Sequence, residues 1–540
     1  MTLSPSIPHL RQTGSATQLI VHGKPFLALA GELQNSSMTS AEFMEPVWQK
    51  LVDTNINTVL GCVTWEDLEP VEDQFHFAEL DKVILGARKH GLHLVLLWFG
   101  SFKNGISTYV PSWVKTDTRR FPRAKLRQAD GELKTGDVLS IFYEEGVKAD
   151  AKAFARLLSH LKEVDGAHST VLMVQVENET GLLGDSRDRS AAAEKRFSES
   201  VPTDLLQFLV QDWDHLHPDL KANLKLTYLN TQTNLSGRWT QVFGEDPHTD
   251  ELFMAYHYAK YINHVAAAVG GGGNPGDYPS GGGTSNVLDI WQQFAPSLDF
   301  IAPDVYLNDY SSSCRKYRHR NQSLFIPEQR RDEYGARRIW VAYGSYQAIG
   351  VSPFGIDTQV PATNPFTKHY GLLQSVAPLV LEAQTRPDAS VGFHFDELSG
   401  DGDNVDTSKP VVKSWGGYEI TIERCFVFGK PGPGAGMVIH LGGPRFLLIG
   451  WGFQVRAKAL SPTSSFTGFL SFREKKVVNK ETGELRTLRV LNGDETRSGI
   501  FAMMPNEDPD YGGFPICVTV PAHTMIAELE VYSIEKVDDM

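Results

Sequence analysis

Eight short apolar runs, separated by stretches of helical periodicity, most narrowly limit what this chain can fold into. They are FLALAG (26–31), TVLGCV (58–63), HLVLLWF (93–99), TVLMVQV (170–176), LKLTYL (224–229), FIAPDVYL (300–307), SLFIPE (323–328) and RIWVAYG (338–344). Parallel neighbours need a crossover of a dozen or more residues, which a helix supplies, so strands alternating with helices predict a parallel α/β sheet. Eight such units predict a closed (β/α)8 barrel. Leu80, Val83, Ile84 and Ala87 recur at helical spacing between the second and third runs, with Gly91 where a helix end favours positive φ. Phe154, Leu157, Leu158 and Leu161 repeat that spacing before the fourth run.

Two insertions interrupt the rhythm. Residues 231–296 hold the clusters Gly270–Gly273 and Gly281–Gly283, and residues 345–366 are rich in Pro and Gly; both read as loops over the barrel mouth. Neither glycine cluster stands in a strand–GxGxxG–helix or GxxxxGK[ST] context, so a flexible loop is expected rather than a phosphate cradle. After residue 385 the texture changes to short alternating strands. Ala527, Leu529 and Val531 alternate with Glu528 and Glu530, VVNKETGELRTLRVL forms a hairpin around Thr482 and Gly483, and FLLIGWGFQV (446–455) reads as one strand. The expected division is a catalytic barrel over 1–385 and a C-terminal β-sandwich over 386–540. Trp451, Phe453 and Phe514 are expected in core and interface, making the second domain structural rather than a lectin.

Composition removes several classes of function. With 51 basic against 65 acidic side chains the net charge is −14, wrong for a nucleic-acid partner. Apolar runs end well short of a membrane span, and the first twenty residues lack a basic and apolar leader, so a cytoplasmic protein is expected. Cys62, Cys314, Cys425 and Cys517 form no C-x-x-C pair and read as reduced core thiols. The 17 histidines include no HExxH and no barrel-end H-x-H, and no G-x-S-x-G occurs. No metal and no cofactor are expected.

In a (β/α)8 barrel, chemistry sits where the strands end. Glu179 closes the fourth run in VQVENET and Glu328 the seventh in LFIPEQRRDEYG. Strands four and seven of a closed barrel can aim both carboxyls at one point, as glycoside hydrolysis requires: one protonated for the leaving oxygen, one ionised toward the anomeric carbon. Trp65, Trp98 and Trp113 are read either as a stacking platform for sugar rings or as core packing.

These strand ends resemble the clan A glycoside hydrolases. GELQNSS (31–37), TWEDLEP (64–70), VQVENET, PDVYL (303–307), IPEQRRDEYG and GVSPFGID (350–357) are similar to family 35, in its shorter bacterial and fungal β-galactosidase-type branch. The resemblance implies an exo-acting, retaining β-galactosidase, with Glu179 as acid/base and Glu328 as nucleophile. It further implies that Asn178 holds the sugar 2-hydroxyl, Tyr306 orients Glu328 and Glu32 binds hydroxyls of the terminal sugar; Lys103 and Asn104, which follow the third run, are read as substrate-binding or as a turn. The implied partner is a carbohydrate. Longer animal-type members carry a tyrosine on strand two and Ala-Glu on strand three, where this chain has Cys62 and Phe99-Gly100. A β-glucosidase or glucosyl-transferring enzyme is therefore the second reading, and an inactive carbohydrate-binding protein the third.

Overall fold

The computed structural model describes residues 7–224, 236–265, 275–306, 309–398, 408–425, 432–506 and 521–536. An antiparallel sheet of β1 (His9–Thr13), β2 (Ala16–Val21) and β3 (Lys24–Phe26) leads in. Then follow β4 (Ala28–Glu32), β5 (Thr58–Thr64) and β6 (His93–Phe99), a hairpin of β7 (Arg123–Arg127) and β8 (Leu133–Leu139), β9 (Val171–Val176), β10 (Phe325–Gln329) and β11 (Gly350–Pro353). Six of these form one parallel sheet in the order β10-β11-β4-β5-β6-β9. Beyond β10, Val305 makes a single parallel bridge to Gln329. The sheet belongs to an α/β barrel fold. Of the fifth run, residues 225–229 lie outside the described residues.

Strand alternation sorts the side chains. Ala28 and Ala30 on β4, Leu60 and Cys62 on β5, and Val95, Leu97 and Phe99 on β6 pack together on one face. Leu29, Val59, Val63, Leu94, Leu96 and Trp98 turn the other way, into the layer of helices such as Ala41–Asp53 and Ala78–Lys89. Burial on both faces explains why these strands read as unbroken apolar runs.

The same double burial misleads at RIWVAYG. It is not the eighth strand; it lies within the helix Glu333–Ser345, where every residue from Gly335 to Gly344 is buried. On one side the Tyr343 hydroxyl donates to Ala28 O at 2.6 Å, and on the other the helix packs on the β-rich part. With no solvent face, helical periodicity vanishes. The missing strand is β11, in the segment expected to be a loop. The other insertion, in its described part, contains the helices Trp239–Phe243, Pro247–Val265 and Leu288–Phe294. Gly281–Gly283 are buried, not loose: Trp291 Nε1 and the Tyr317 hydroxyl donate to Gly281 O and Gly283 O, each at 3.0 Å. Gly270–Gly273 lie outside the described residues.

The β-rich part contains β12 (Ser390–Phe395), β13 (Val411–Trp415), β14 (Tyr418–Arg424), β15 (Gly434–Gly442), β16 (Arg445–Trp451), β17 (Phe453–Ala459), β18 (Ser464–Asn479), β19 (Glu484–Leu491), β20 (Ala502–Met503) and β21 (Ile526–Glu535). They make sheets ordered β12-β15-β16-β21-β18-β19 and β13-β14-β17-β20. Phe393, Ile420, Phe446, Phe453, Val455 and Leu529 form the shared core. The hairpin turns at Gly483 (φ +73°) as expected, and Ala527, Leu529 and Val531 are buried. FLLIGWGFQV is two strands, not one: Gly452, at φ +72°, sends β16 and β17 into different sheets. Trp451 packs against His369 and Trp340. Cys62, Cys314 and Cys425 are buried free thiols, whereas Phe514 and Cys517 lie outside the described residues. No helix among the described residues is long and apolar enough to cross a membrane.

The helix Glu333–Ser345 and β12 meet backbone to backbone. A Cβ on Gly392 would stand 1.8 Å from Trp340 O, and one on Gly344 2.7 Å from Gly392 N. Arg337 and Arg338 add ion pairs to Asp396, at 3.2 and 2.6 Å. Neither backbone can retreat without opening a packed core, so Gly392→Ala is expected to cost about 3 kcal/mol, read as a lower denaturant midpoint.

Candidate active site

The C-terminal edge of the parallel sheet gathers the ionisable groups. Glu32 ends β4, Glu177, Asn178 and Glu179 follow β9, Glu328 lies near the end of β10, and Gly100–Lys103 follow β6. Glu328 is held from three sides: by the Tyr306 hydroxyl at 2.8 Å, Asn178 Nδ2 at 3.3 Å and Lys103 Nζ at 3.6 Å. Lys103 Nζ also donates to Asn178 Oδ1 at 2.8 Å and sits 5.0 Å from the centre of the Phe99 ring. Burial opposes the charge on Lys103, yet the carboxyls of Glu328, Glu32, Glu179 and Asp304 outweigh it and hold its pKa above the ordinary lysine value.

Glu179 carries no side-chain hydrogen bond among the described residues. Burial first, then the charge of Glu328, raises its carboxyl above the usual range, with Lys103 opposing. Its φ is +44° and that of Glu177 is +63°. Left-handed backbone at non-glycine residues costs roughly 1–3 kcal/mol each and persists only where surroundings over-determine it.

Glu177 supplies that determination, and sequence reasoning missed it. Its carboxylate accepts the backbone N–H groups of Gly100, Ser101 and Phe102 at 3.2, 2.8 and 2.7 Å, tying the end of β9 to the loop that carries Lys103. Asp150 lies beside it, accepting from Trp98 Nε1 at 3.0 Å, Ser101 Oγ at 2.6 Å and the Tyr261 hydroxyl at 2.7 Å. Burial and then Asp150 raise the Glu177 carboxyl well above the carboxylate range. The first acid of VENE was a visible signal, but its partners are 75 to 77 residues away.

Asp304 was missed as well. It faces Glu328, Glu179, Glu32 and Lys103, and neither its oxygens nor those of Glu32 find a donor among the described residues. Glu32, Lys103, Asn178, Glu179, Tyr306 and Glu328 are thus brought together. Asn104 is not: it is exposed, at φ +56°, in the turn where Lys103 pairs with Ser107. Cys62 is buried near Glu32, and its thiol is pushed up to about 12 by burial and then by that carboxyl. Trp65 and Trp98 are wholly buried, with Nε1 bonded to Glu69 and Asp150, so neither is a sugar platform. Trp113 packs edge-on against Trp65 and Phe121. Among the described residues, no group of three or more His, Cys, Asp or Glu is arranged to hold a metal ion.

Two family models match. The glycoside hydrolase family 42 model, described as Beta-galactosidase, covers residues 38–245, and a domain of unknown function (DUF5597) covers residues 366–503. Residues 38–245 resemble that family's domain, and the match covers less than half of the chain. The expected membership of family 35 is overturned, because the matching model is that of family 42. An Asn-Glu closing one strand and a glutamate closing another define a catalytic geometry, not one family's sequence.

No curated protein matches the chain. Among solved structures, the β-galactosidase of the psychrophilic Marinomonas ef1 is 14% identical over 66% of this chain and 60% of its own, with a TM-score of 0.41. That of Bacillus circulans sp. alkalophilus is 13% identical over 66% and 57%, at 0.43. The catalytic domain of a β-amylase from Paenibacillus polymyxa is 12% identical over 63% and 94%, at 0.42. The chain thus spans less than two thirds of the length of these β-galactosidases.

Glu177→Gln puts an amide NH2 where the carboxylate met backbone donors. It is expected to lower stability by about 2–3 kcal/mol by denaturant titration, whereas Asn104→Ala should leave the midpoint within about 0.5 kcal/mol.

Proposed function

We propose that this chain is an exo-acting, retaining β-glycosidase that removes terminal galactose from β-galactosides by double displacement. The observation that carries this reading is the contrast between two neighbouring carboxyls: Glu328 is fixed by Tyr306, Asn178 and Lys103, while Glu179 is free of side-chain partners among the described residues and shifted toward its protonated form. One is a directed nucleophile and the other a proton donor.

In the first step Glu328 Oε attacks the anomeric carbon as Glu179 gives its proton to the departing glycosidic oxygen, leaving a glycosyl ester on Glu328. The ester consumes the charge that had raised Glu179, which then takes a proton from water as that water opens the ester. Asn178, bridged to both Lys103 and Glu328, stands where it can hold the 2-hydroxyl as the transition state forms. Galactose as the sugar is supported by the description of the matching family model. A β-glucoside is the second reading, favoured by Cys62 beside Glu32 in the pocket wall. A structural role for the β-rich part, from about residue 386, is supported by its backbone contact with the helix Glu333–Ser345.

Nitrophenyl β-galactoside, β-glucoside and β-fucoside assayed side by side should favour the galactoside; a glucoside turned over at least about tenfold faster would reverse the sugar assignment. Glu328→Ala should lose at least about a thousandfold in kcat, and azide should rescue an activated substrate with an α-glycosyl azide product. Rescue of Glu179→Ala should instead yield the β-azide. The first-formed sugar from wild-type enzyme, followed by NMR, should be the β-anomer; an α-anomer would remove Glu328 as nucleophile.

The pH dependence follows from the raised carboxyl of Glu179. Because it must be protonated for the first step, kcat/KM falls as pH rises through its pKa. Lys103 lowers that pKa, so Lys103→Met should move the alkaline limb to higher pH.

A further inference from the structure

Asp304 has no role in the reaction as drawn, yet its surroundings call for a ligand. It lies two residues before Tyr306 on a stretch whose middle residue, Val305, is buried in the core, bridges to Gln329 and donates its N–H to Glu328 O at 2.8 Å. Alternate side chains of an extended segment share a face. Asp304 therefore shares the face of Tyr306, whose hydroxyl meets Glu328.

Both carboxyl oxygens of Asp304 are shielded from solvent and reached by no donor among the described residues, and the same holds for Glu32, which is 1% exposed. The two acids bring four unmet oxygen atoms to a site whose cation, Lys103, is already engaged by Asn178 and Glu328. Buried polar atoms are normally satisfied, and those that are not point to a group that arrives from outside. We propose that Asp304 is a sugar-binding residue which, with Glu32, clamps a hydroxyl of the terminal sugar other than the 2-hydroxyl and makes the enzyme depend on it. The clamp rests on the glycosidase reading of the same pocket.

The chemistry of the pair favours a neutral polyol over a cation. Burial first, then the neighbouring charge of Glu328, raises both carboxyls well above the usual range. A protonated carboxyl both gives and accepts a hydrogen bond, which matches a hydroxyl that does both; a metal ion or an ammonium requires the ionised form. No described group of carboxyls has metal-holding geometry.

The test is a coupling measurement. Wild type and Asp304→Asn are assayed on nitrophenyl β-galactoside and its 3-, 4- and 6-deoxy analogues. Wild type should lose at least about 30-fold in kcat/KM at one ring position, and in the variant that penalty alone should shrink below about threefold. Penalties equal in the two proteins at every position would overturn the proposal, since a merely structural Asp304 would slow all substrates alike. Should Asp304→Asn unfold, Asp304→Ser carries the same comparison. If wild type cleaves no aryl glycoside, the reaction fails; the clamp is then judged by calorimetric binding of methyl β-galactoside and its deoxy analogues. It survives if the same coupling appears and falls if binding is absent or indifferent to Asp304. A thermal shift of wild type by Ca2+ or Mg2+ that Asp304→Asn abolishes would show a cation site and also overturn it.

Discussion

The ammonium of Lys103 faces Glu32, Glu179, Asp304 and Glu328, four carboxyl groups at one end of a buried sheet; it donates to Asn178 and forms an ion pair with Glu328. Unopposed, the like charges would drive most of these acids to their neutral forms, because burial strengthens every repulsion that water would have screened. One cation cannot balance four acids. It biases them unequally, and the proposed division into nucleophile and proton donor rests on that inequality. The reading of the site as a glycosidase centre depends on where this one amine is held.

Holding it is the work of residues outside this cluster of four carboxyls. The loop Gly100–Phe102 is fastened by three amides to Glu177, and Asp150 secures Ser101 and Trp98 behind it. Glu177 thereby joins two strand ends: the loop bearing Lys103 and the bend bearing Asn178 and Glu179. A Cβ on Gly100 would come within 2.6 Å of Glu177 Oε1 and 2.8 Å of Asp150 Oδ1, so only glycine lets the chain lie this close to both acids. Left-handed backbone at Glu177 and Glu179 is the local cost of presenting three consecutive polar side chains from one bend.

The proposed acid pair, the strand runs and the amphipathic helices were legible in the sequence because each is local. Leu80, Val83, Ile84 and Ala87 mark a helix face whatever surrounds it, and Glu179 and Glu328 are conspicuous as acids directly after apolar strands. RIWVAYG was illegible for the opposite reason. A helix packed on two sides loses its polar stripe and copies the pattern of a buried strand, so β11 went unseen in a segment that looked like loop. Trp98 was open to a sharper reading: on β6 it alternates with Phe99, and only one of the two can face the carboxyl cluster around Lys103.

By itself, the sequence determined the class of element along most of the chain and the parallel α/β architecture, and it set Glu179 and Glu328 directly after apolar runs, because hydrophobic period and strand-end chemistry are properties of neighbours along the backbone. The tertiary structure decided which acids share a pocket. Glu32, Lys103, Asn178, Asp304 and Glu328 come from five separate strand ends, and Glu177 reaches amides 75 to 77 residues away. It also decided that Asn104 is exposed in a turn and that Asp304 joins them. Charge interactions act through space and fall with distance between atoms, not with separation in sequence, so only the folded chain reveals them.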